Sequence, residues 1–91
     1  MFETNCNCKN SIVFKIEADY NADPIWCNKC GFNLDIDDFP ISEEIKEELF
    51  NWLKKYKLIP AEEHNKLGRY LTEKTRRELG PKYEIIFKPD K

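Results

Sequence analysis

Four cysteines in two close pairs restrict what this chain can fold into more than any other feature. Cys6 and Cys8 are one residue apart, Cys27 and Cys30 two apart, and eighteen residues separate the pairs. Four thiolates converging on one point form a tetrahedral shell for Zn²⁺, with Zn–S near ~2.3 Å. Each pair can aim both sulfurs at that point only if the backbone turns tightly between them. The second pair has the residues for such a turn. In Cys27-Asn28-Lys29-Cys30-Gly31, Gly31 can adopt a positive φ, Asn28 favours turns and Lys29 brings a cation near the thiolates. The pair Cys6-Asn7-Cys8 is tighter. A shell closed by four cysteines leaves no open coordination position, so one structural zinc is expected rather than a catalytic one. Iron also accepts four thiolates.

Disulfide pairing is the competing use of four cysteines in a chain of 91 residues. Met1-Phe2-Glu3-Thr4-Asn5 has neither the basic start nor the apolar run of a secretory signal. A reducing cytoplasmic setting is therefore expected, where thiols favour metal over disulfides. No stretch approaches the ~20 apolar residues of a membrane span, so no membrane association is expected. The length suits a single domain, 1–91. With 35 % charged residues the interior is small. A bound metal would supply stability that apolar burial cannot, because its binding free energy is also folding free energy.

Hydrophobic periodicity divides the chain into a ribbon-like part (1–38), a helical hairpin (42–80) and a last strand (82–88). Ile12, Phe14 and Ile16 alternate with Val13, Lys15 and Glu17, a strand. Residues 19–24 form a turn, and Ile25-Trp26 runs extended into the second cysteine pair. Phe32, Leu34 and Ile36 alternate with Asn33, Asp35 and Asp37, which predicts another strand, acidic on its open side. Ser42 suits a helix N-cap, with Glu43 and Glu44 favourably placed in the first turn. Ile45, Leu49, Trp52, Leu53 and Tyr56 then form one apolar stripe over a helix at 43–57. Phe50 lies off that stripe. Pro60 begins a second helix, 61–79, with His64, Leu67, Leu71 and Thr75 on its inner face and Gly68 available for close packing. Gly80-Pro81 ends it, and Tyr83, Ile85 and Phe87 mark a strand that joins the first sheet.

Over residues 5–37 the order cysteine pair, strand, turn, cysteine pair, strand resembles a zinc ribbon, in which two knuckles clamp a metal at one end of a small antiparallel sheet. With the helical hairpin and the last strand added, the expected fold is α+β: a small antiparallel zinc-ribbon sheet in ββααβ order, with a two-helix hairpin packed on one face. Leu71-Thr72-Glu73-Lys74 and Glu78-Leu79-Gly80-Pro81 look like the ends of small bacterial zinc-ribbon proteins, a likeness that implies no activity.

Charge is unevenly distributed. Residues 1–53 hold 4 basic against 11 acidic side chains, and residues 54–91 hold 11 against 6. The two parts can face one another, or the basic part can present a binding surface. No set of nucleophile, base and oxyanion donor can be named, so neither an enzyme nor a small-molecule substrate is expected. His64, the one histidine, reads as a packed core residue rather than a ligand or base. The leading expectation is a small structural-zinc protein acting as a protein-interaction or regulatory module. Asp35, Asp37 and Asp38 beside Phe39, together with Phe50, would supply its charged surface and apolar anchors. One alternative is a nucleic-acid-binding ribbon using Lys66, Arg69, Lys74, Arg76 and Arg77 on the second helix. Another is a redox-responsive switch, since the spacing of Cys6, Cys8, Cys27 and Cys30 resembles the zinc centre of the redox-switched heat-shock chaperone.

Overall fold

The alternation at residues 12–17 forms strand β1 (Val13–Ile16), and the run into the second cysteine pair forms β2 (Ile25–Cys27). A computed structural model describes residues 12–19 and 22–89. Helices α1 (Glu43–Lys54) and α2 (Ala61–Leu79) follow, then strand β3 (Glu84–Phe87). The architecture is α+β, with two helices and a three-stranded sheet in the order β2-β1-β3. Phe14, Ile16, Ile25, Cys27 and Ile85 point to one face of that sheet. They are fully buried in one cluster with Ile45, Leu49, Trp52 and Leu71 of the helices.

The sheet is mixed rather than antiparallel, which corrects the ribbon-like expectation. β1 pairs antiparallel with β2 and parallel with β3. The cause is the hairpin between β2 and β3. Ser42 meets Glu78, Glu48 meets Lys74 and Trp52 meets His64, so α1 and α2 run in opposite directions. Two antiparallel helices return the chain to the end of the sheet it left. β2 ends beside the start of β1, so β3 re-enters there and runs the same way as β1.

The strand expected at 32–37 is the second correction. Only an isolated bridge, Asn33 to Trp26, remains, and Ile36–Asp38 turns into a short 3-10 segment. Short polar side chains outcompete the ladder here. Asn33 exchanges hydrogen bonds with the Asp23 backbone, donating at 2.8 Å and accepting at 3.0 Å. The Asp23 carboxylate accepts from the Ile36 N–H, and that of Asp35 accepts from the Asp37 N–H. Leu34 and Ile36 still reach the core, while Phe32 is exposed.

The helix signals behave as expected with one shift. Ser42 caps α1, accepting from the Ile45 N–H at 3.2 Å. α1 stops at Lys54 rather than 57, because the following turn takes Lys57 to φ 68°. α2 spans the expected residues and ends at Gly80, φ 88°. Gly68 sits where α2 meets both α1 and β3. A Cβ there would lie 2.9 Å from Trp52 Cζ2 and closer still to the Phe87 ring. Alanine would gain about 1 kcal/mol of helix propensity, yet it would force both rings apart at about 1–3 kcal/mol. Gly68→Ala should therefore lower the midpoint of thermal unfolding; a raised midpoint would show that the Phe87 ring yields freely.

Candidate partner interface

α1 turns its stripe inward, so the residues between the stripe positions face out. Ile45, Leu49 and Trp52 are buried, whereas Phe50 is 38 % exposed. On one side of its ring lies a shallow depression bordered by Asp37, Glu43, Glu47 and Lys46. On the other side a second depression is bordered by Asp19, Asp23, Leu53 and Leu58, and Lys54 touches both. Five carboxylates thus flank the ring against two lysines. Lys46 is nearly buried and tied to Glu43 at 3.3 Å and Asp37 at 3.6 Å, which reduces its positive field toward solvent. Leu58, 78 % exposed in the turn between the helices, adds a second apolar contact. An apolar anchor within an acidic rim is suited to a protein partner with a basic surface.

The sequence reading placed this surface partly elsewhere. Asp35, Asp37 and Asp38 are exposed as expected, but Phe39 is buried, its ring edge-on to Phe14 at 5.1 Å between centroids. Leu58 was not singled out. Its signal was an apolar residue directly after Lys57 in the lysine-rich interhelical turn.

Two of the five basic residues of α2, Lys74 and Arg76, have carboxylate partners. Lys74 reaches across to Glu48 on α1 at 2.9 Å. The Glu48 carboxylate, chiefly through this hydrogen bond, holds the Lys74 ammonium above its ordinary value of 10.5. What Lys74 gains from this contact is therefore present at neutral pH and, on the alkaline side, is lost as pH climbs through that raised value. Arg76 pairs with Glu73 and donates to the Ile85 carbonyl of β3 at 2.7 Å. Arg69 lies over the Phe87 ring, 5.9 Å from its centroid. Lys66, Arg69, Arg76 and Arg77 are exposed. Glu48–Lys74 is an ion pair between the acidic and the basic part of the chain.

Cys27 is buried and Cys30 exposed at the two ends of one tight turn. The Gly31 N–H donates to the Cys27 carbonyl at 2.9 Å, and Gly31 takes the anticipated positive φ of 81°. Cys6 and Cys8 lie outside the described residues. Among the described residues no three or more histidine, cysteine or acidic side chains gather as a metal site, and no helix is long and apolar enough to cross a membrane.

His64 is a core residue, 1 % exposed. Its ring stacks on Trp52 at 4.4 Å and 10°. Its Nε2 lies 2.8 Å from the Trp52 carbonyl, and Trp52 Nε1–H donates to the His64 carbonyl at 2.9 Å. A carbonyl only accepts, so Nε2 carries the proton. Nδ1 has no hydrogen-bond partner among the described residues.

A search of curated proteins found no match. A family model described as Serratia CdiI immunity protein-like matches residues 13–63, from the first residue of β1 to the first turn of α2. That span holds the whole Phe50 face and the Cys27–Cys30 turn, and it ends before Lys66. Covering more than half of the 91 residues, the match makes this chain a member of the Serratia CdiI immunity protein-like family.

Proposed function

We propose that this protein neutralises a protein toxin by binding it, without catalysis, and that the toxin presents a basic surface to the Phe50 face. Family membership supports the immunity role. The observation that supports the location is the exposed Phe50 ring set among Asp19, Asp23, Asp37, Glu43 and Glu47, all within the family-matched residues. A carboxylate rim speeds encounter with a basic partner and rejects acidic ones, while the desolvated aromatic supplies most of the residence time. The protein acts in the cytoplasm, where its thiols stay reduced.

The test begins with affinity capture of the partner by the full chain. Co-expression of the chain should then restore growth to cells producing the captured protein. The association rate should fall as salt rises, as expected for complementary charge. A captured protein that is not toxic, or whose toxicity persists beside excess chain, would overturn the proposal. So would recovery of nucleic acid alone, bound in a way that Arg77→Glu abolishes.

A further inference from the structure

We infer that the cavity beside His64 binds one small, neutral, planar heteroaromatic molecule that carries an N–H donor, of the indole class. The cavity adjoins the depression beside Phe50 across Tyr56. The site goes beyond toxin neutralisation and does not depend on it. Fixed aromatic walls and one buried nitrogen without a partner carry it.

The cavity, about 170 Å³, lies where both helices meet the ends of β1 and β3. Trp52 of α1 and His64 of α2 are its buried lining, Tyr56 and Phe87 are half-buried beside them, and Lys88 on its solvent side is exposed. The walls are fixed by contacts among themselves. The His64 ring stacks on Trp52 at 4.4 Å, and the two residues exchange hydrogen bonds through Trp52 Nε1 and His64 Nε2 at 2.9 and 2.8 Å. Phe87 meets Trp52 edge-on at 6.0 Å, and the Tyr56 ring lies 5.6 Å from that of His64. Gly68, lacking a side chain, admits the Phe87 ring against α2. Pre-formed aromatic walls offer a flat ligand stacked and edge-to-face contacts at little cost in ordering. An apolar cavity of about 150 Å³ is enough to hold benzene, so this one, open on one side, admits a small ring system.

The polar requirement comes from His64. Its Nε2–H donates to the Trp52 carbonyl, so Nδ1 carries a lone pair, and that buried nitrogen has no partner among the described residues. With Nε2 committed, Nδ1 is the ring atom through which His64 can accept a hydrogen bond from an occupant. A buried acceptor loses its water on folding and recovers that cost only when a donor meets it. An N–H in the ligand's ring supplies the donor and keeps the ligand flat. Charge selects against ions. The lining carries one carboxylate, Glu17, and one ammonium, Lys88, and Glu17 already pairs with Lys15 at 2.9 Å. A neutral ring leaves no unpaired charge against the buried Trp52–His64 stack.

The experiment is a nuclear magnetic resonance titration of the isotope-labelled full chain with indole and, separately, with indene, which matches indole in shape but has no N–H. Indole should saturate at one site per chain, with amide shifts concentrated at Ala18, Trp52, His64 and Phe87. The His64 Nδ1 resonance should move as it gains a hydrogen bond. Indene should bind about tenfold more weakly, as expected when a buried acceptor is left unmet. In His64→Phe, which keeps a ring but loses Nδ1, the two ligands should bind alike. Absence of saturation at millimolar indole would overturn the inference. So would equal affinity for both ligands in the unaltered chain, shifts centred on Phe50 and Leu58, or a water molecule that stays on Nδ1 at saturating indole. The comparison of the two ligands on the unaltered chain decides the matter whether or not His64→Phe folds. Toxin neutralisation is read separately, so either reading can fail alone.

Discussion

His64→Ala is expected to cost about 3 kcal/mol of folding stability, a large share of the roughly 5–15 kcal/mol that holds a typical domain together. Three losses combine. The Nε2–H bond to the Trp52 carbonyl contributes about 1 kcal/mol. The stacked contact at 4.4 Å contributes about 0.5–1.5 kcal/mol beyond its burial. The missing ring leaves a cavity between α1 and α2 that costs about 24 cal/mol per Å³. The Trp52 carbonyl is not wholly orphaned, since the Lys55 N–H also donates to it at 3.1 Å, which keeps the estimate from rising further. His64→Phe separates the parts: it keeps volume and stacking but removes the donor, so about 1 kcal/mol should be lost. Urea unfolding with an unchanged m-value would measure both. A loss below about 1 kcal/mol in the alanine variant would mean that the helix pair is held together elsewhere.

Phe50→Ala should weaken toxin binding about 30-fold, the equivalent of about 2 kcal/mol for a central aromatic anchor. Stability should move by less than about 1 kcal/mol, because the ring is only part-buried and alanine favours the helix. Glu43→Lys with Glu47→Lys should act differently, slowing association and flattening its salt dependence. Equilibrium and kinetic binding measurements distinguish the two. Unchanged affinity in Phe50→Ala would move the docking surface elsewhere while leaving neutralisation itself intact.

How much could be read in advance depended on whether the cause was local. Ser42, Glu43, Gly80 and the 3.6-residue stripe act within one or two turns, so both helices were legible, as was the positive φ of Gly31. The strand expected at 32–37 failed because hydrophobic alternation takes no account of Asn33, Asp23 and Asp35 bonding to backbone groups. Phe39 failed for a related reason. With the chain turning at Ile36–Asp38 rather than running straight, its ring swings inward onto Phe14. Gly68 was legible as a point of close approach, but α2 also approaches β3 there, which required knowing where β3 runs. The exposure of Phe50 followed from its place off the stripe, whereas the carboxylates of the 19–23 loop join it only through the fold.

The parallel pairing of β3 with β1 also affects how the protein is made. β1 is central, yet one of its two neighbours is synthesised about seventy residues later. Until then the nascent chain carries an open strand edge along β1. Closing so long a loop is slow compared with forming either helix. A ribosome pausing after α1 would therefore expose the piece most prone to pair with a stray strand, and chains cut short of Glu84 should collect in aggregates rather than fold.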